Sequence, residues 1–362
     1  MEKFLNFPSS EFWNNKRVLI TGHTGFKGKW LVLFLTYLGA KVYGVSLDNN
    51  EFKLKNKLDL SDVLVSSKNL DIVNHTSQLE SYLEEANPEV VFHFAAMSIL
   101  KDCNNFPKLA METNTLGTFN VIDSSLKKTQ CKLIVCATTD KVYKFPEKVN
   151  SEKSELGAVE FYGASKVGAE AVIEAFKGNP KFSKNFNFLT IRSGNVLGGG
   201  DYGNYRLIPD IVNSLKNNVD INIRNPNSTR PWQYILDSLN GYILSSEYCL
   251  KNNKSEIFNL NQEELNRVSV LDLTRKFLSS WESQVEVIIE NQIKNIEAEE
   301  LKITSIKATK ILGWKAVADL SYIFKKIKEW ETAEEQNLIE ISLSQIKEFE
   351  KLVLNTSFND NY

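Results

Sequence analysis

With 362 residues, 42% of them hydrophobic, the chain can bury the core of one large domain or two modest ones. Its 43 Lys and Arg against 45 Asp and Glu leave a formal charge of −2, which speaks against a nucleic-acid or anionic-membrane surface. Small molecules and copies of the chain itself are the expected partners. Cys103, Cys131, Cys136 and Cys249 have no CxxC spacing and fall mostly in apolar runs, so they read as buried thiols in a reducing compartment, with no metal site or disulfide framework. The opening MEKFLNFPSSEFW has no basic segment ahead of a long apolar core, and nowhere are about eighteen consecutive residues apolar. A cytoplasmic protein without a membrane span is expected.

The first strand is expected at Val18-Leu19-Ile20, an apolar run too short for a helix and closed by glycine. Gly22, Gly25 and Gly28 follow at intervals of three, and residues 30–38 then run apolar at helical density up to Gly39. Strand, glycine turn and helix together make a phosphate site. The turn needs positive φ, the backbone must approach a pyrophosphate closely, and the helix must pack tightly on its strand, which only glycine allows. A second strand at 41–47 leads to Asp48, twenty residues past Gly28, where a dinucleotide fold places an acid to accept from ribose hydroxyls.

Residues 49–70 are polar and lysine-rich and read as a loop with a short helix, followed by a brief strand-like stretch at Asp71-Ile72. Helices are expected at 77–86, 110–125 and 161–176, and strands at 90–96, 132–137 and 187–192. Strands alternating with helices of this length demand right-handed crossovers, hence an α/β, doubly wound parallel-sheet Rossmann domain over residues 1–194. Beyond 195 the rhythm breaks. A glycine-rich, aromatic loop at 198–206 precedes a helix at 207–215, a strand at 221–224 and a Pro/Asn turn. Strand, helix and strand at 232–235, 239–250 and 257–260 would return to the main sheet, so residues near 230–262 interleave with a smaller mixed domain, 195–331. Helices at 270–277, 306–312 and 320–331 finish it, and 332–362 reads as a charged amphipathic helix with a polar end.

Tyr162 and Lys166 stand four apart on an expected helix and share one face. An ammonium beside a phenol favours the phenolate, so the tyrosine is expected to titrate below its usual value of about 10 and to accept a hydroxyl proton as hydride leaves the same carbon. Thr138-Thr139-Asp140-Lys141 ends an apolar strand. Adjacent side chains of a strand point to opposite faces, so Asp140 and Lys141 can share a site only just past the strand's end. There they would supply an acid and a base for a second step, burial raising Asp140 and lowering Lys141. Arg224 and Arg230, flanking a turn, have the planar fork that suits a diphosphate.

These residues resemble the extended short-chain dehydrogenase/reductase family and, within it, its CDP-glucose 4,6-dehydratase group, over residues 12–330. The general marks are TGHTGFKG, Asp71-Ile72, HFAA ending at Ala95-Ala96, Asn114 in NTLGT, Tyr162 with Lys166, and RSGNV from Arg192. More specific are Thr139-Asp140-Lys141, GNVLGGGDYGNYRLIPDIV and IRNPNSTRPWQYILDSLNGYI. The resemblance implies NAD as a retained cofactor, held by Gly22, Gly25, Phe26, Gly28, Asp48, Asp71, Ile72, Ala95, Ala96, Asn114, Tyr162 and Lys166. It implies a nucleotide hexose, CDP-glucose, held by Asn195, Arg206, Leu207, Arg224 and Arg230. The implied cycle has Tyr162, assisted by Thr139, removing the 4-hydroxyl proton, Lys141 taking the C5 proton, and Asp140 donating to the departing 6-hydroxyl before hydride returns to C6. A homodimer or a dimer of dimers is implied as well. This chain departs from the group's pattern at Met97-Ser98, Lys101, Glu160-Phe161 and Tyr234.

Overall fold

Val18, Leu19 and Ile20 are fully buried in β1 (Arg17–Thr21), as a strand covered on both faces requires. The computed structural model describes residues 6–47, 57–144, 149–223, 225–262, 267–289 and 302–359. In it β1 is joined by β2 (Lys41–Ser46), β3 (Ser66–Asn69), β4 (Val90–His93), β5 (Leu133–Thr139), β6 (Asn187–Ser193) and β7 (Glu256–Leu260). Their order is β7-β6-β5-β4-β1-β2-β3, and every neighbouring pair is parallel. The chain builds outward from β1 to β3, then crosses back to lay β4 on the other side. That reversal opens a crevice at the carboxyl ends of β1 and β4, where a doubly wound sheet binds its ligand.

Alternation along each strand feeds two cores. Val18, Ile20, Phe92 and Val135 join the helices Phe26–Tyr37 and Ile235–Asn252 in one apolar cluster. Leu19, Val91, Ile134 and Cys136 point the other way, onto Thr76–Ala86, Gly117–Lys128 and Phe161–Gly178. All four cysteines are buried thiols.

Several elements differ from the sequence reading. The first long helix starts at Phe26 rather than Trp30, since Gly25 serves as its N-cap. Ser66–Asn69, expected as loop, is a polar edge strand paired only with β2; its Ser66 is bonded through Oγ and carbonyl to the Tyr82 hydroxyl. With no apolar face of its own it leaves no period-two signal. The expected 110–125 helix is built from Pro107–Met111, a π turn at Glu112–Leu116 and Gly117–Lys128. The expected strand at 232–235 shrinks to Gln233–Tyr234, paired with Val196–Leu197. The segment returning to the sheet is therefore Ile235–Asn252 followed by β7, which lies beside β6.

The last helix, Leu338–Asn359, buries Ile346, Phe349 and Val353 against the Phe26–Tyr37 side of the sheet, with the Phe7 ring lying tilted between those of Phe34 and Phe349. Tyr234 is fully buried and its hydroxyl donates to Gln345 in this helix, so it is a packing residue. Among the described residues no helix is long and apolar enough to cross a membrane.

Candidate active site

A cleft of about 1550 Å³ runs along the carboxyl ends of the strands, from Asp71 and Ile72 at one end to Arg206 and Arg230 at the other. At its floor Gly22 closes β1 with φ +74°, and a Cβ there would lie 2.6 Å from the Ala95 nitrogen. A Cβ on Gly28 would lie 2.1 Å from the Gly22 carbonyl oxygen, so helix and turn touch backbone to backbone. No side chain caps the helix that begins at Phe26, which leaves its first-turn N–H groups to a phosphate. These features fit a dinucleotide pyrophosphate. Ala95 and Ala96 line the wall opposite, with the Ala95 N–H donating to Thr21 Oγ1 at 3.2 Å. Burial alone would raise the Asp71 carboxyl, yet N–H groups of Val73 and Asn74 hold it below the usual carboxylate range. It is an anionic acceptor at the cleft end where a ribose would sit. Asp48 lies outside the described residues; its neighbours Ser46 and Leu47 line the same end.

The candidate catalytic residues gather where β5 stops. Thr139 accepts from the Lys141 N–H at 3.3 Å and starts a 3-10 turn at Asp140–Val142, which carries both Asp140 and Lys141 to the cleft. Thr139 Oγ1 also donates to Asp140 Oδ1 at 3.1 Å and is hydrogen-bonded to the Tyr162 phenol. Burial pushes the Asp140 carboxyl above the usual carboxylate range, against the pull of Lys141, Thr139, Arg230 and Lys27, the direction that an acid needs. Tyr162 enters on the Phe161–Gly178 helix. Glu160 caps that helix, its two carboxylate oxygens accepting from the Tyr162 and Gly163 N–H groups at 2.7 Å each, so the Glu160-Phe161 departure still supplies an N-cap.

Two expectations need correction. Burial raises Tyr162 to about 12, with the Thr139 hydrogen bond opposing, so the phenol is not brought toward neutrality by its neighbour. Burial also lowers Lys166 to about 8, and its Nζ donates to the Ala137 carbonyl at 2.9 Å; the ammonium is itself desolvated and shared with the backbone. Asn114, expected at the cofactor, does not line the cleft. It is fully buried in the π turn, where Oδ1 accepts from Met97 N–H and Nδ2 donates to the Met97 carbonyl and Ser165 Oγ. It clamps the loop after β4 to the Tyr162 helix.

At the substrate end, Arg206 Nη1 donates to both Asp201 oxygens, at 3.0 and 3.1 Å, and Nη2 donates to Ser98 Oγ at 3.0 Å. Lys101 Nζ stands 4.0 Å from the Tyr205 ring centre. Three of the departures, Met97, Ser98 and Lys101, line the cleft, and two of them, Ser98 and Lys101, meet the segment that carries Tyr205 and Arg206. Arg230 is buried, with Nη1 on the Thr229 carbonyl, and lines the cleft together with Asn195 and Leu207. Arg224 lies outside the described residues.

Sequence reasoning missed two groups. Lys27 lines the cleft, and burial with the nearby Arg206 charge lowers it to about 8; its place inside the glycine turn was the available signal. Behind the wall, Arg192 and Glu170 form a fully buried ion pair, joined by Thr138 Oγ1 and the Tyr143 hydroxyl, that ties the ends of β5 and β6 to the Tyr162 helix.

The NAD dependent epimerase/dehydratase family model matches residues 18–260. The chain belongs to the NAD dependent epimerase/dehydratase family. It is 34% identical over 332 residues to the CDP-glucose 4,6-dehydratase of Salmonella typhimurium, a match covering 89% of this chain and 92% of that protein. A dTDP-D-glucose 4,6-dehydratase of Dictyostelium discoideum is 25% identical, over 73% of this chain and 62% of that one. In fold the chain is similar to the epimerase Mth375 of Methanothermobacter thermautotrophicus, with a TM-score of 0.78 and 19% identity over 92% of this chain and 96% of that chain. It is also similar to a UDP-glucose-4-epimerase of Stenotrophomonas maltophila solved with NAD and formylated UDP-arabinopyranose, with a TM-score of 0.75 and 18% identity over 88% of this chain and 98% of that one. The family's cofactor is NAD, a dinucleotide, and the geometry of the glycine turn fits its pyrophosphate.

Proposed function

We propose that the chain is a nucleotide-sugar 4,6-dehydratase that converts CDP-glucose to CDP-4-keto-6-deoxyglucose. The observation that carries this reading is the convergence of Asp140 and Lys141, at the end of β5, with Tyr162 and Lys166 in one cleft with the dinucleotide turn. A 4-epimerisation has no proton to take from C5 and no 6-hydroxyl to expel, whereas an acid and an amine beside the tyrosine suit an elimination.

NAD bound in the turn supplies the hydride acceptor at C4 and the donor at C6. Tyr162, its phenolate favoured when the positive charge of an oxidised nicotinamide lies beside it, would take the 4-hydroxyl proton, with Thr139 hydrogen-bonded to its oxygen. The resulting ketone acidifies the C5 hydrogen, which Lys141 removes while Asp140 donates to the departing 6-hydroxyl, and Lys141 returns the proton to C5 as hydride reaches C6. Arg206 and Arg230, with Arg224, hold the diphosphate at the far end, beside Asn195 and Leu207. The cofactor lobe is read as residues 1–194 with the return near 230–262, the substrate lobe as 195–331, and 332–362 as a helical extension. The protein is read as cytoplasmic and as a homodimer or a dimer of dimers. The test is incubation of the NAD-loaded protein with CDP-, UDP-, dTDP- and GDP-glucose separately, with products identified by mass and NMR. Loss of one water from CDP-glucose without net cofactor reduction is expected. An unchanged-mass 4-epimer, or stoichiometric NADH with an oxidised sugar, would overturn the reading.

A further inference from the structure

Gly198-Gly199-Gly200 open the segment that carries Asp201 and Arg206 to the cleft, and the reason for two of these glycines lies in a distant part of the chain. A Cβ on Gly199 would come within 2.4 Å of Trp330, and one on Gly200, at φ +76°, within 2.8 Å of the same indole. Trp330 is buried, and its Nε1 donates to Ser342 Oγ at 3.0 Å in the Leu338–Asn359 helix. From the opposite side Trp30 Nε1, on the cofactor helix, donates to the Gly199 carbonyl at 2.9 Å. The loop is moulded between two tryptophans.

The next residue, Glu331, has a carboxylate only 4% exposed. One oxygen accepts from the Gly200 N–H at 3.0 Å, across 131 residues of chain, and the other from Lys216 Nζ. Lys216 lies in the last turn of Leu207–Asn217, the helix that follows Arg206 directly. A single carboxylate thus grips the start of the segment and the far end of the helix behind it. Buried Lys29, on the cofactor helix, faces both Asp201 and Glu331, and Asp201 in turn grips Arg206.

We propose that Glu331, at the end of the helix Leu320–Glu331 that Trp330 fastens to the C-terminal helix, is a positioning residue for substrate: it fixes residues 200–206 so that the Arg206 guanidinium stands ready for the diphosphate. The proposal rests on the nucleotide-sugar reading above and gives the C-terminal helix a part in binding. Among the described residues, Arg206 is held at its tip by Asp201 and Ser98. Freed of the Glu331 anchor, the segment would have to be ordered by the substrate itself, at a cost in affinity.

The test uses the full-length, NAD-loaded protein with CDP-, UDP- and dTDP-glucose in calorimetry and steady-state kinetics. Glu331→Ala is expected to raise Kd and KM about tenfold, with kcat within about twofold and NAD affinity unchanged. Glu331→Gln should recover most of the loss, because its amide oxygen still accepts from the Gly200 N–H. Added to Arg206→Ala, Glu331→Ala should cost little more, since both act on one contact. Equal losses with and without Arg206, or a parallel fall in NAD affinity, would mean a merely structural role and overturn the proposal. Should Glu331→Ala not fold, Lys216→Met replaces it, and an unchanged KM in that variant is the refuting result. If the wild type binds none of the three sugars, the substrate reading falls and this inference with it; if it binds one and the variants bind it equally, only this inference falls.

Discussion

Lys166 Nζ donates to the Ala137 carbonyl oxygen at 2.9 Å, at the end of the strand that delivers Asp140 and Lys141. The Tyr162 helix is thereby pinned to the strand by its own lysine, and Tyr162, raised by burial to about 12, is a neutral phenol in the protein by itself. In a spectroscopic titration of cofactor-free protein against Tyr162→Phe, no extra tyrosinate should form below about pH 10, the reference value of the phenol. A tyrosinate appearing near neutrality would show that Lys166 does activate it. With NAD bound, Tyr162→Phe should lower kcat about 10²- to 10⁴-fold and leave ligand binding intact.

His93 gives a stability test. Burial, with the charge of Lys166 adding to it, lowers its imidazole to about 3, and the ring is held between Thr21 Oγ1 at 2.7 Å and Thr118 Oγ1 at 3.0 Å. The unfolded chain takes up a proton at about 6.5 while the folded protein does not, so between about pH 6.5 and 3 unfolding becomes more favourable as pH falls. Each unit should cost about 1.4 kcal/mol. Urea unfolding of the wild type and of His93→Gln at about pH 7 and pH 5 checks the sign: the wild type should lose more stability than the variant on acidification.

The phosphate turn and the strand-end triplet were legible in the sequence because their chemistry is local. Gly28 is demanded by a contact within the turn itself and Gly22 by its positive φ at the strand's end, and Thr139-Asp140-Lys141 follows an apolar run that fixes where the strand ends. Asn114 was misplaced because its partners, Met97 and Ser165, lie 17 and 51 residues away, and a buried amide clamp leaves no spacing signature. The titration of Tyr162 was misjudged for a related reason. An i, i+4 spacing places a lysine on the right face but does not report that the Ala137 carbonyl takes its proton donor. The edge strand Ser66–Asn69 was hidden by its polarity, and Gly199 against Trp330 by distance along the chain.

Arg230 is buried in the substrate end of the cleft, and its charge is felt by Asp140. Arg230→Ala should weaken CDP-glucose binding far more than NAD binding. Loss of a charge-assisted phosphate contact commonly costs about 1.5 to 3 kcal/mol, roughly a ten- to hundredfold rise in Kd. Calorimetry with each ligand separates the two; equal losses would move Arg230 out of the substrate site.

Phe106, Leu109, Met111, Leu116, Phe119 and Phe161 are all more than a third exposed on or beside the helices flanking the π turn and at the start of the Tyr162 helix. So much apolar surface on neighbouring helices suits burial against a second copy. Light scattering should give a dimer mass or a multiple of it. Leu109→Lys combined with Phe119→Lys should shift the mass toward monomer, whereas a monomer at every concentration in the wild type would defeat the expectation.

Lys141→Met should separate the two halves of the reaction. Tyr162, Lys166 and the glycine turn are untouched by the change, so removal of the 4-hydroxyl proton and hydride transfer from C4 should survive. The base for the C5 proton would be gone, so elimination should stall. Methionine keeps much of the lysine stem's volume, which limits any packing artefact in the 3-10 turn. The variant should therefore accumulate a 4-keto hexose that retains its 6-hydroxyl, with reduced nicotinamide absorbance and slow solvent deuterium uptake at C5 by NMR. Asp140→Asn differs in a useful way. It leaves the base in place, so deuterium should enter C5 while loss of the 6-hydroxyl slows. If Lys141→Met dehydrates at near the wild-type rate, Lys141 is not the base. If it loses hydride transfer while still folded and binding NAD, Lys141 acts in the first step, and Asp140 and Lys141 do not divide the elimination between them.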